Sequence, residues 1–179
     1  VVWLEFHGTG HDQKDVGFWL SLAYALTSAS ALTLDIERAD LEVTTTPLAD
    51  QHRQAIVLYD TVPGGAGHCR RVLQHLPDII RRARDILSDC SCDPASTNCY
   101  GCLCDYQNQF AHNLLCRGPV LEYLEKLIDE LDREKPSPWR APSRFPWREI
   151  INAMLAANGP LCLAVHSIEP DLLPAMNRD

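Results

Sequence analysis

The sequence predicts an α/β fold, a mixed sheet flanked by helices, and three observations lead to it. Residues 55–60 form a continuous apolar run closed by an acid, the pattern of a central strand covered on both faces. Residues 41–46 are rich in β-branched side chains and stop at Pro47, a second strand. Residues 67–88 and 118–131 place their apolar side chains at helical spacing.

The remaining elements follow in order. Residues 1–6 alternate weakly and read as a short strand, and residues 7–12 as a polar turn containing Gly8 and Gly10. From Val16 to Leu34 there is no charged residue, a length close to that of a membrane span. Gly17 and the interspersed Ser, Thr and Ala point instead to a helix buried in a protein core. Within residues 67–88, Val72, Leu73, Leu76, Ile79, Ile80, Ala83, Ile86 and Leu87 share one side. Pro77 is expected to start a second helical piece there, since a proline inside a helix removes a hydrogen bond and clashes with the preceding turn. Gly118-Pro119 opens the next helix. Residues 135–147, with four prolines, Trp139 and Trp147, read as a linker or extended strap. A helix over residues 148–157 and a strand over residues 161–165 complete the chain. The expected organisation is one domain over residues 1–134, the strap, and a C-terminal extension over residues 148–179 that begins a further domain.

The chain has 179 residues, 46% hydrophobic and 22% charged, which excludes disordered, collagen-like and coiled-coil classes. Its net charge of -8 argues against non-specific coating of DNA and leaves room for a local basic face. The start at Val1 has no secretory signal and no initiator Met, so a fragment of a longer chain is expected.

Six of the eight cysteines fall between Cys90 and Cys116. Such clustering points to metal in a reducing, cytoplasmic setting rather than to disulfides. Cys90-Ser91-Cys92 and Cys99-Tyr100-Gly101-Cys102 form two close pairs six residues apart. Four soft thiolates at this spacing can wrap one tetrahedral ion with no open position, as in a structural zinc site. An iron–sulfur centre uses the same ligand count. Cys104 and Cys116 are alternative ligands. The cysteine segment lies between two predicted helices, so the expected fold carries a four-cysteine zinc knuckle inserted between helices.

Two weaker signals concern contact with a ligand or partner. Residues 60–68, with Gly64, Gly65 and Gly67 between a strand and a helix, could present backbone amides to a phosphate or serve only as a tight turn. No Gly-Lys-Ser/Thr follows, so a nucleotide-binding P-loop is absent. Arg70, Arg71, Arg81, Arg82 and Arg84 share one helical face that is either solvated or aimed at phosphates or an acidic partner. No nucleophile elbow and no Cys–His pair stands out; Glu42 and Asp60 near strands loosely suggest nuclease carboxylates.

Taken together, residues 58–67 (Leu-Tyr-Asp-Thr-Val-Pro-Gly-Gly-Ala-Gly), Cys90-x-Cys92, Cys99-Tyr100-Gly101-Cys102-Leu103 and Tyr106-x-Asn108-Gln109-x-x-His112 resemble the MrfA-type zinc-binding domain. That domain occurs at the C-terminus of certain DEAD/DEAH-box helicases and in the DISARM antiphage component DrmB. The resemblance covers roughly residues 16–133 and implies that Cys90, Cys92, Cys99 and Cys102 hold one zinc ion. It departs at Cys104, where the family usually has a basic residue, and at Cys116, where it has an acid before the final Arg. What it implies is an accessory module of a DNA-translocating ATPase in the same or a separate chain, concerned with DNA repair or antiphage defence. Such a module would contact DNA or its partner through Gly64, Gly65, Arg70, Arg71, Arg81 and Arg84, and would involve no membrane. With no ATPase motif of its own, the chain is not expected to unwind DNA alone. Two other readings compete: a nuclease-like enzyme using carboxylates near Asp60, and a protein-interaction module using the Trp139–Trp147 strap.

Overall fold

The computed structural model describes residues 1–49, 53–62, 65–93 and 98–133, and the backbone of the strand 161–165. The strap and the helix expected over residues 148–157 lie outside the described residues. Strand β1 (Val2–His7) leads into helix α1 (Val16–Leu34), then β2 (Leu41–Pro47) and β3 (Gln54–Asp60). Helices α2 (His68–Gln74), α3 (Leu76–Ser88) and α4 (Arg117–Arg133) follow, and β4 (Leu161–Val165) ends the series. The sheet order is β2-β3-β1-β4. The α/β class and the cysteine segment between helices are as expected. β4 pairs with β1, so this part of the C-terminal extension adds to the same sheet.

The sheet itself departs from expectation: each of its three pairings is antiparallel, whereas a mixed sheet was expected. β1 and β2 do run in the same direction across the α1 crossover. However, β3 returns by a hairpin from β2 and inserts between them, which makes each adjacent pair antiparallel. β3 is central, and among the described residues it is more completely buried on one face than on the other. Ile56 and Leu58 are fully buried, while Tyr59 is exposed and Val57 half-buried. An antiparallel sheet can leave one face in contact with water, which a crossover-built parallel sheet rarely does.

The core lies between the other sheet face and the helices. Val2, Leu4 and Phe6 of β1 alternate inward and meet Phe18, Trp19, Leu22 and Leu26 of α1. α1 is long and apolar enough to cross a membrane, but it is packed within this fold, with 13 of its 19 residues buried. Its hydroxyls are satisfied internally. Ser21, Thr27 and Ser30 each donate to the carbonyl four residues earlier, at 2.6–2.7 Å. Asp15 caps the first turn by accepting from the Phe18 amide, and the Trp19 indole donates to the Asp12 carbonyl. Pro77 stands in the first turn of α3, where its missing N–H costs nothing, and this separates α2 from α3.

Gly17 is the point of closest approach between α1 and the segment entering α4. A Cβ there would stand 2.5 Å from the Leu114 carbonyl oxygen. The same junction is tied by the Cys116 amide, which donates to the Ser21 hydroxyl at 2.8 Å. Gly17→Ala is therefore expected to destabilise the fold by about 1–3 kcal/mol, the usual cost of overpacking against backbone. Chemical denaturation of the variant would check this; a midpoint equal to the wild type would contradict the close approach.

Candidate metal centre

The cysteine segment leaves the end of α3 and returns toward α4. Cys90, Cys92, Cys99 and Cys102 place their sulfurs within 4.8 Å of one another. The Sγ separations are 3.4 Å for Cys90–Cys92, 3.3 Å for Cys90–Cys99, 3.7 Å for Cys92–Cys102 and 3.9 Å for Cys99–Cys102. A tetrahedral zinc with bonds of about 2.3 Å needs sulfurs about 3.8 Å apart, so the four ligands fit one structural zinc ion. Among the described residues no other group of three or more His, Cys, Asp or Glu is so arranged, and the carboxylates near Asp60 gather no second centre.

Local backbone geometry builds the turn. The Cys99 amide donates to the Cys102 sulfur and the Gly101 amide to the Cys99 sulfur, both at 3.3 Å. The amides of Cys102, Leu103 and Cys104 all converge on the Cys99 carbonyl at 3.0–3.1 Å. A Cβ at Gly101 would lie in ordinary van der Waals contact with the Cys99 and Cys90 sulfurs, at 3.4 and 3.6 Å. The Cys92 amide and the neighbouring thiols pull Cys90 down to about 7, while burial pushes Cys102 up to about 12. Binding a metal therefore displaces protons, most of all from Cys102.

Two side-chain amides, one half-buried and one fully buried, whose partners are not apparent from spacing, fasten the turn to the loop before α4. Asn98 donates to the carbonyls of His112 and Leu115 at 3.0 and 2.7 Å. Asn108, fully buried, donates to the Leu103 carbonyl and accepts from the Asp105 amide. Its side-chain oxygen also lies 2.8 Å from the His112 ring. The motif Tyr106-x-Asn108-Gln109-x-x-His112 signals this region, though only the fold shows which carbonyls are reached. Cys104 is not among the four: its thiol donates to the Asn98 oxygen at 2.6 Å. Cys116 sits beside Ser21 on α1.

The other singled-out residues are placed as follows. Gly64 lies outside the described residues. The Gly65 amide donates to the Val62 carbonyl at 2.9 Å. The Asp60 carboxylate accepts from the amides of Gly67 and Cys69 at 3.0 and 2.9 Å, so an internal anion already fills the start of α2. Burial raises the Asp60 pKa, but these hydrogen bonds outweigh it and leave the group below its ordinary value. Arg71 donates to the Leu34 carbonyl and caps α1. Arg81 is paired with Asp132 at 2.8 Å and Asp78 at 3.7 Å, and Arg84 with Asp85 at 2.9 Å. Arg70 and Arg82 are exposed and make no ion pair among the described residues.

An antiparallel sheet backed by helices, with a four-thiolate turn locked between α3 and α4, defines a zinc-knuckle domain. Residues 22–103 match the MrfA Zn-binding domain, and this stretch, which holds all four cysteines, is similar to that family. The Druantia protein DruE of Escherichia coli (strain UMEA 4076-1) is 30% identical over 108 residues, 58% of this chain and 6% of DruE. The crystal structure of the DUF1998 helicase MrfA bound to DNA aligns with 67% of this chain and 15% of that one, at 21% identity and a TM-score of 0.49. The chain thus spans a small part of the length of either relative.

Cys90→Ser and Cys102→Ser are each expected to lose the bound zinc and loosen the turn, whereas Cys104→Ser keeps one ion per chain. Metal analysis of the purified variants checks this, and zinc loss in Cys104→Ser would contradict the assignment. Asp60→Ala is expected to destabilise the protein by about 0.5–2 kcal/mol at neutral pH, as for a lost helix cap. Because the folded pKa is depressed, that stabilisation is present above the unfolded value and disappears as the pH falls through the folded one. Wild type and variant should therefore converge in acid, and thermal melts across pH test it.

Proposed function

We propose that this chain is a zinc-stabilised accessory domain that works with a DNA-translocating ATPase, in the same or a separate chain. It assists nucleic-acid or partner binding and carries no catalysis of its own. The observation that carries this reading is the four-sulfur cluster built into the junction of α3 and α4, inside the stretch that matches the MrfA Zn-binding domain. Zinc supplies rigidity here: with four protein ligands it has no open position for chemistry. The free thiolates suit a reducing, cytoplasmic compartment. The relatives support the setting, one being a Druantia protein and the other a helicase bound to DNA.

DNA contact would centre on Arg70 of α2 and Arg82 of α3, which are exposed and make no ion pair among the described residues. Arg71, Arg81 and Arg84 would contribute by shaping the arginine face, with Gly64 and Gly65 as further contact residues. The expected test result is that Arg70→Glu weakens DNA binding and lowers the slope of log affinity against log salt by about one. An unchanged slope would remove Arg70 from the interface.

A second reading, a protein-interaction module, is favoured by three aromatic side chains near the knuckle. Tyr100, Tyr106 and Phe110 are 74%, 81% and 75% exposed within an eleven-residue stretch beside the metal ligands. Metal-loaded protein that shows no salt-dependent DNA binding, yet captures the ATPase, would decide for that reading.

A further inference from the structure

A zinc ion held by four thiolates carries a net double negative charge. In this chain that charge falls in an unfavourable place. Between Arg84 and Arg117 there is no Lys or Arg, while Asp85, Asp89, Asp93 and Asp105 all lie there. Arg38 reaches this segment from outside and pairs with Asp105 at 3.5 Å, but with Cys102 buried and the other three ligands half-buried the site still carries excess negative charge, which is costly unless offset.

Arg117 stands where a compensating cation is needed. It is only 5% exposed and opens α4. The dipole of α4 opposes a cation at its start, while the carboxyl end of α3 beside it favours one. Its guanidinium donates to the Leu87 carbonyl at 2.9 Å and to the Cys90 carbonyl. It therefore grips the end of α3 and the backbone of the first ligand together. Its Nε is buried and has no hydrogen-bond partner, so these two carbonyls do not account for the whole group.

We propose that Arg117 is a positioning and charge-balancing residue of the zinc site: it fixes the Cys90 backbone and offsets the negative charge of the four thiolates. This rests on the zinc reading above. Removing its charge should weaken zinc binding about 10-fold or more, the usual scale for a group that supports the ligands from outside.

The experiment measures zinc affinity of the full chain by competition with a chromophoric chelator, for wild type, Arg117→Met and Arg117→Lys. Cobalt-substituted protein is compared in parallel by absorption. Arg117→Met is expected to bind zinc about 10-fold more weakly and to move the thiolate-to-cobalt charge-transfer band to lower energy, because the sulfur electrons lose a stabilising charge. Arg117→Lys, which keeps the charge and loses the planar fork, should recover most of the affinity. Equal affinity and an unchanged band in Arg117→Met would overturn the proposal and leave Arg117 as a cap of α3 alone. Should Arg117→Met not fold, Arg117→Lys decides: affinity near that of the wild type supports the charge role, and a 10-fold loss overturns it. Wild-type protein without zinc would instead refute the metal reading itself.

Discussion

Four thiolates cannot crowd within 4.8 Å of one another unless a cation stands between them, and the second half of this fold depends on meeting that condition. Residues 89–116 have few apolar side chains with which to hold a shape. What they do have is Leu103, Ala111 and Leu115 reaching into the core, and Asn98 and Asn108 stitching one loop to the other. Those anchors become cooperative only when the sulfurs are drawn together. Metal binding is then part of folding rather than an addition to a finished structure. α4 inherits its position from this arrangement, because its first residue grips the end of α3 and its last turn is paired to α3 through Arg81 and Asp132.

The first half of the chain supplies the platform. α1 is unusually free of charge because it is enclosed by strands on one side and by α3 and the pre-α4 loop on the other. Its hydroxyls turn back onto its own carbonyls, which removes the need for outside partners. Gly17 lets the pre-α4 loop touch its backbone, and so couples the apolar core to the metal turn. Loss of packing at this junction and loss of zinc should therefore act on a common structural unit.

Much of this was legible in the sequence, for local reasons. The bounds of α1 follow from its uncharged run, the α2–α3 break from Pro77, and β2 and β3 from their β-branched and apolar runs. The four cysteines were legible because close ligand pairs are a strong pattern. Strand direction was not, since it depends on β3 inserting between β1 and β2, a non-local event. Nor were the partners of the arginines. A helical wheel places Arg71, Arg81 and Arg84 on an outer face, but Leu34 and Asp132 approach from other elements. The roles of Asn98 and Asn108 were hidden likewise, because the carbonyls they satisfy come from a loop that returns only in three dimensions.

The arginines also show how an acidic domain can retain a selective basic surface. At a net charge of -8, an exposed cation is usually drawn into a pair with a nearby acid, and Arg81 and Arg84 have been. Arg71 and Arg117 are spent on helix C-terminal carbonyls, where a cation complements the dipole. Arg70 and Arg82 alone on this face stay exposed and unpaired among the described residues. A phosphate backbone approaching elsewhere would meet net negative charge, so contact would be confined to a small patch beside α2 and α3. Such a patch is too small for tight binding by itself.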